Sequence, residues 1–430
     1  MVFTWTTIIT TTALVKATDA SSRPVGLRNL GNTCYMNAQL QCAYQIPLVR
    51  QIVMDEAQAD LDNNNNNNDE VAPGLAALAS VFADMAQVPA PAAVSPALLA
   101  RVLGIPVMEQ QDTQEFWKLF LPTLQSSRLT DLYTGALEDY IIAQDGSGRE
   151  RRRAETFLDI SLEVPAHAHD DSSSSSSSCC CCSIEDCLAA AFGQAEWLRV
   201  AEGNGWRPAK GADKVDALKG SRLQAPGLPC ILQLHLKRFT VDWKKNRGNV
   251  MEKNNAPVRF DTTLDLRRWC DPHHHEEEWG DKAQSFVLYD LQGVVVHAGE
   301  FGMGHYYAYV RPDVTTDRWF RINDHVVEEV SWPEVLADAM GGEVDYAALT
   351  GRGEDGDGDA KSTKDDDDDD SDSPRGFWGR LLRRRGRGRG VVAQPYGRYG
   401  FGGSTANAYV LQYVKRSEID RLYYGNDRLL

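Results

Sequence analysis

Cys34, His305 and the pair Asn323–Asp324 are the residues of this chain whose types and order suit nucleophilic chemistry. Cys34 stands in Gly26-Leu27-Arg28-Asn29-Leu30-Gly31-Asn32-Thr33-Cys34-Tyr35-Met36-Asn37. His305 stands in Gly302-Met303-Gly304-His305-Tyr306-Tyr307-Ala308-Tyr309, and Trp319-Phe320-Arg321-Ile322-Asn323-Asp324 follows it. Cys, then His, then Asn or Asp is a nucleophile, a general base and a group that orients the base. A thiol attacks as thiolate, and a helix N-terminus or a nearby imidazole lowers its pKa from about 8.5 to roughly 3.5–7.5. Asn32 and Thr33 are helix-capping residue types. Cys34, Met36, Leu40, Ala43 and Tyr44 then recur near helical spacing, which predicts Cys34 in the first turn of a helix. His305 opens a run to Val310 that reads as a strand, a rigid support for a base. Asn323 or Asp324 would accept a hydrogen bond from the second ring nitrogen and fix the tautomer. Asn323 would orient the ring, and the charged Asp324 would also stabilise an imidazolium. Asn29, on the loop into the nucleophile, is the natural oxyanion donor beside the backbone N–H of Cys34. Losing such a donor costs about 10²–10³ in rate. Taken singly, a buried cysteine and a satisfied strand histidine are the commoner explanations. Three ordered segments, with glycines ahead of both Cys34 and His305, point to catalysis.

The elements that must hold these residues are mixed, an α+β pattern. Residues 25–130 alternate helical stretches with turns. One helix follows Cys34, one covers Gly74–Ala86, and one starts at Asp112 and is ended or kinked by Pro122. Asp112 and Glu115, ahead of Phe116, Trp117, Leu119 and Phe120, have the spacing of a capping box. Residues 131–228 carry strand-like Tyr140–Ala143 and Phe157–Val164 and a helix at Ile184–Gly193. Beyond 229 the chain is β-rich. Leu232, Leu234 and Leu236 alternate with Gln233, His235 and Lys237, and further strands are expected at Phe286–Tyr289, Val294–His297, His305–Arg311, Trp319–Ile322 and Tyr409–Val414.

Low-complexity stretches interrupt this order at 60–70, 167–182 and 347–403. The first holds Asn63–Asn68, which reads as a surface loop, and the second Ser172–Ser178 and Cys179–Cys182. The third holds the acidic run Asp365–Asp370 and the arginine-rich Arg380–Arg389. The arginines would suit a nuclear-localisation signal or an RNA-contacting arm, but a loop balanced by its own acidic run is preferred. Loop closure costs only about 0.6 kcal/mol per doubling of length, so a fold can close around such insertions. Residues 1–23 read as a disordered, Thr-rich leader without a basic n-region, and 417–430 as a C-terminal tail.

With 42% hydrophobic and 25% charged residues over 430 positions, the chain is of the globular class. Its net charge of −16 disfavours general nucleic-acid binding and suits a basic partner surface. No apolar run reaches the roughly 18 residues of a membrane span. Nine cysteines, an odd number, together with a thiol nucleophile suit a reducing compartment. Cys179–Cys182 has no second C-x-x-C pair before Cys230, so no structural zinc and no cofactor is expected. His273–His275 reads as a solvated loop.

On these residues the chain resembles the ubiquitin-specific proteases, the papain-like class of deubiquitinating cysteine proteases. The Asn29–Asn37 stretch resembles the family's Cys box, and 302–324 its His box. Gln110-Gln111-Asp112-Thr113-Gln114-Glu115-Phe116, Leu228–Phe239 and Asn407–Tyr413 resemble three further family segments. The likeness spans roughly 24–416 in family order, and its spelling is nearest the zinc-lacking, herpesvirus-associated type.

The resemblance implies a papain-like fold with a helical thumb (about 25–130), fingers (131–228) and a β-rich palm (229–416). It makes Cys34 the nucleophile, His305 the base, Asn323 the third member with Asp324 as helper, and Asn29 the oxyanion donor. Asp112, assisted by Glu115, would meet the basic C-terminal tail of ubiquitin. Tyr306 would narrow the channel to glycine, so that Tyr306→Ala slows turnover without harming the fold; a core aromatic is the competing reading. Glu300–Gly304 and the His273–His275 segment fall where the family has loops that admit or block the tail, with Gly299, Gly302 and Gly304 lending flexibility. The implied protein is a monomer of the cytoplasm and/or nucleus that acts on ubiquitin and ubiquitinated proteins. A protease for another ubiquitin-like modifier, such as SUMO, and a non-catalytic ubiquitin-binding scaffold are the alternatives.

Overall fold

A computed structural model describes residues 23–64, 73–165, 182–241, 251–270, 287–341 and 405–425. The leader, Ser172–Ser178, His273–His275 and the acidic and arginine-rich runs lie outside these residues. Helices α1 (Cys34–Tyr44), α2 (Pro47–Asn64), α3 (Pro73–Met85), α4 (Ala97–Val102), α5 (Thr113–Thr123) and α6 (Ser127–Tyr133) come first. Two residues of the asparagine run therefore extend α2 instead of forming a loop. Pro122 is accommodated in the last turn of α5, which ends one residue later.

All eleven residues of α1 are buried. A helix covered on every side shows little amphipathic stripe, which is why its periodicity is only approximate. Burial obliges its polar side chains to find partners. Gln41 donates to Val25 O at 2.8 Å, and Gln39 accepts from Gln233 at 3.2 Å.

Next come β1 (Gly135–Ala143), β2 (Glu150–Phe157), β3 (Ile160–Glu163), β4 (Cys182–Ser183), helix α7 (Ile184–Phe192), β5 (Glu196–Leu198) and β6 (Ala217–Leu223). The antiparallel order β2-β1-β6-β5 forms a separate four-stranded sheet. The expected strand Phe157–Val164 is split: β2 ends at Phe157 and β3 begins at Ile160 in another sheet. Arg151–Arg153 hid β2, because an exposed strand can be charged when it pairs across the sheet. Arg152 meets Glu138 at 2.8 Å.

The remaining elements are β7 (Ile231–Lys237), β8 (Phe239–Val241), β9 (Met251–Lys253), β10 (Val258–Arg259), β11 (Thr263–Asp265), β12 (Leu288–Glu300), β13 (Met303–Val310), β14 (Trp319–Asn323), β15 (Val326–Val330), helix α8 (Trp332–Ala339), β16 (Asn407–Lys415) and helix α9 (Ile419–Tyr424). The large sheet runs β15-β14-β13-β12-β16-β7-β3, with β11 against β12. The two strands expected at 286–297 are one long strand, β12, whose register shifts twice against β16. Two of the polar positions of β7, Gln233 and His235, are buried too. Gln233 donates to Gln412 at 2.9 Å and Gln412 to Gln292 at 2.6 Å. Together with Gln39 these side chains form a ladder of buried amides that seats α1 on β7, β16 and β12. Helical and strand layers thus share one core, an α+β architecture, and Cys34 starts the helix at their junction.

Candidate active site

The loop before Cys34 is shaped by its own polar side chains. Asn29 Oδ1 accepts from the backbone N–H of Gly31 at 3.0 Å and of Thr33 at 3.1 Å. Thr33 holds the N-cap position of α1 without capping it. Its hydroxyl faces back and accepts from Leu30 N at 3.0 Å. This corrects the expectation of a side-chain cap. Asn32 is likewise turned away, donating to Met108 O at 2.6 Å.

His305 lies on β13, half-buried, with Nε2 2.6 Å from Asn323 Oδ1 at the end of β14. Nδ1 is then the ring nitrogen left for Cys34, the strongest favourable influence on the charged ring. Burial works against the charged ring. The hydrogen bond and charge of Cys34, then the charge of Asp324 and the hydrogen bond to Asn323, outweigh it and raise His305 to about 9.

Asp324 is set differently from Asn323. Its Oδ2 is 3.8 Å from His305 Nε2. It accepts instead from Asn29 Nδ2 at 2.9 Å and, through Oδ1, from Asn37 Nδ2 at 2.8 Å. It sits at φ 52°, a left-handed conformation that Asp and Asn tolerate better than most residues. Gly26 lets the two segments of the chain meet here. A Cβ on Gly26 would stand 2.7 Å from Asp324 O, and Leu27 N donates to that same oxygen at 2.8 Å. The structure thus brings Cys34, His305, Asn323, Asp324 and Asn29 into one cluster. An amide nitrogen carries two protons, and Asn29 commits one of them to Asp324.

Asp112 is the N-cap of α5, accepting from Gln114 N at 2.8 Å and Glu115 N at 3.0 Å. Its other oxygen accepts from the Tyr409 hydroxyl. Glu115 is exposed one turn into the helix. No return bond from Glu115 closes the capping box among the described interactions.

Tyr306 is 3% exposed. Its ring packs against His297 at 4.7 Å and Tyr409 at 5.7 Å between centroids. Burial, then the charges of Asp112 and Cys34, push its hydroxyl pKa well up. The expectation that Tyr306→Ala spares the fold is therefore corrected. Emptying this packed site is expected to cost about 3–5 kcal/mol, whereas Tyr306→Phe keeps the packing. Urea unfolding of the two variants checks this. Glu300–Gly304 is also tighter than a flexible loop. It is a hairpin tip with Glu300 paired to Met303. A Cβ on Gly304 would lie 1.9 Å from His297 Nε2, so this glycine serves close packing.

Two residues escaped the sequence reading. Gln110 pairs both amide atoms with the Gly304 backbone, at 2.7 and 3.2 Å, and so ties the approach to α5 to the residue before His305. Nothing local in the sequence signals that partner. Asn37 braces Asp324, and its signal was available: it is a polar residue one turn after Cys34, on the same face of the helix.

The family model "ubiquitin carboxyl-terminal hydrolase" matches residues 25–352. The chain is 32% identical over 330 residues to ubiquitin carboxyl-terminal hydrolase 15 of Schizosaccharomyces pombe, covering 74% of this chain and 26% of that protein. It is 28% identical to ubiquitin C-terminal hydrolase 13 of Arabidopsis thaliana, over 74% of this chain and 26% of that one. It is also 28% identical over 396 residues to ubiquitin carboxyl-terminal hydrolase 47 of Drosophila melanogaster, covering 76% and 24%. The chain belongs to the ubiquitin carboxyl-terminal hydrolase family, in its ubiquitin-specific protease branch, and its fold is the papain-like α+β fold of that branch. It spans about a quarter of the length of these relatives.

Proposed function

We propose that this chain is a thiol-dependent deubiquitinase that hydrolyses isopeptide or peptide bonds at the C-terminal glycine of ubiquitin. The observation that carries this is His305 held between Cys34 and Asn323, on two elements of one core. In this reading Cys34 Sγ attacks the glycine carbonyl carbon while His305 holds the thiol proton. The oxyanion is met by the remaining Nδ2 proton of Asn29 and the backbone N–H of Cys34. Collapse breaks the C–N bond, and His305 delivers its proton to the leaving lysine amine. Water, deprotonated by His305, then cleaves the thioester, freeing the ubiquitin carboxylate and the thiol.

Asn323 orients the imidazole. Asp324 places Asn29 and adds negative charge beside the ring. Asp112 and Glu115 fit a basic tail: an ionised carboxylate has about four acceptor positions, so the bonds Asp112 already makes leave room for an arginine. Tyr306 supports that wall from within the core.

Among the described residues no helix is long and apolar enough to cross a membrane. The reading includes a monomer in the cytoplasm and/or nucleus, on the ground that a catalytic thiol needs reducing surroundings. Among the described residues no group of His, Cys, Asp and Glu has the arrangement of a metal site, and the reading assigns the chemistry to protein side chains alone.

Fluorogenic reporters built on ubiquitin and on a SUMO-type modifier test the substrate class. Cleavage of the ubiquitin reporter with the higher kcat/KM is expected. Equal or reversed preference would favour the other modifier, and binding without cleavage would favour a scaffold.

A further inference from the structure

Lys253, at the end of β9, is 9% exposed. Its ammonium donates to two backbone carbonyls, His297 O on β12 at 2.8 Å and Thr405 O just before β16 at 2.6 Å. His297 and Asn407 are the last paired residues of the β12–β16 ladder. On the other side of β12, His297 pairs with Tyr306 and Ala298 with His305. Lys253 therefore closes the end of the sheet directly behind the histidine.

Neighbouring contacts make the same point. Asn255 Oδ1 accepts from Asn407 Nδ2 at 2.8 Å, and Val258 N donates to Met340 O at 2.9 Å. The segment after β9 thus fastens Met340 and Asn407, close to either described edge of the 342–404 stretch. Arg238, wholly buried alongside, binds Ala408 O at 2.6 Å and Ala256 O at 2.8 Å.

A buried ammonium is an expensive way to fill space. Burial, then the Arg238 charge, lowers Lys253 to about 7, against the opposing pull of Glu300. An apolar side chain would avoid that cost but would take a donor from both carbonyls.

We propose that Lys253 is a positioning residue for the reaction: by joining His297 O to Thr405 O it fixes β12 and β13 so that His305 meets Cys34. The inference rests on the reading of Cys34 and His305 as the catalytic pair. The glycine at 304 leaves no slack in transmission, because the His297 ring fills the space a side chain there would need.

The test uses the full chain with Lys253→Met, Lys253→Gln and Lys253→Arg. Three quantities are read: thermal stability, kcat and KM on a ubiquitin reporter, and the His305 titration midpoint by NMR of ¹³C-histidine. Lys253→Met and Lys253→Gln are expected to lower kcat about 10–100-fold, the usual consequence of a misplaced catalytic group. KM should stay within about twofold, since substrate contacts are untouched. The His305 midpoint should fall from about 9 toward the ordinary value of about 6.5. Lys253→Arg, which keeps charge and donors, should restore both kcat and midpoint. If Lys253→Met does not fold, Lys253→Gln gives the same readout with milder disruption. Folded variants that keep kcat and the His305 midpoint would overturn the proposal and leave Lys253 a purely structural clamp. A wild type that turns over no reporter would instead fault the catalytic reading, and the midpoints would still decide whether Lys253 positions the ring.

Discussion

Cys34→Ala is expected to lower kcat on a ubiquitin reporter by about 10⁵–10⁶-fold while ubiquitin binding persists. Removing the nucleophile of a triad costs about as much as removing the whole unit, because the parts act together. The fold should survive, since alanine is the best helix former and the change deletes a single buried atom from the first turn of α1. Two of the other described thiols are poorly suited to substitute. Cys42 lies deep in the core, with burial pushing it up to about 12, and Cys187 is likewise raised to about 12, first by burial. Steady-state kinetics with equilibrium ubiquitin binding on one preparation checks both halves. A variant retaining about a hundredth of the wild-type rate would contradict the assignment.

Asp324→Asn is expected to lower kcat/KM by about 10²-fold, the lower end of the cost of a lost electrostatic contact at a reacting centre, and to move its alkaline limb toward neutrality. Asparagine keeps the left-handed backbone, so strain is not the cause. What changes is charge and acceptor capacity. Asp324 accepts from both Asn29 and Asn37, and an amide offers one oxygen where the carboxylate offers two. Its charge also helps to raise His305.

His305 is raised above its ordinary value, so the imidazolium persists as pH rises until about 9. Above that the ring can no longer protonate the leaving amine, and activity should fall. The same shift favours the folded state fully below the ordinary pKa of about 6.5, and this contribution fades as pH rises through the raised value. With Asp324 neutralised the limb should fall earlier. A pH profile of kcat/KM checks it. An unmoved limb with a lowered rate would reduce Asp324 to a brace for Asn29.

How far the sequence could be read depended on where each interaction closes. The start of α5 is written in its capping residues, the helix after Cys34 in its near-helical spacing, and the strands β7, β13 and β16 in short alternating or aromatic and aliphatic runs. Cys34, His305 and Asn323 could be named because each sits in its own short motif. What stayed hidden closes over long range. The amide ladder Gln39–Gln233–Gln412–Gln292 looks like surface polarity until α1 is laid over the sheet. Tyr306 reads as a channel residue until Tyr409 and His297 are packed around it. Gly299, Gly302 and Gly304 suggest a pliant loop, yet strand pairing and the His297 ring make them a tight hairpin. Arg151–Arg153 suggests no strand, because cross-strand carboxylates are invisible in one dimension.

The most direct measurement is labelling of the full chain by a ubiquitin probe with a thiol-reactive electrophile at its C-terminus, compared with Cys34→Ala. An adduct on the wild type alone, mapped to Cys34, is the predicted result. It would require both recognition of the ubiquitin tail and its delivery to that sulfur. A folded wild type that binds ubiquitin yet forms no adduct, or an adduct that persists in Cys34→Ala, would contradict the account.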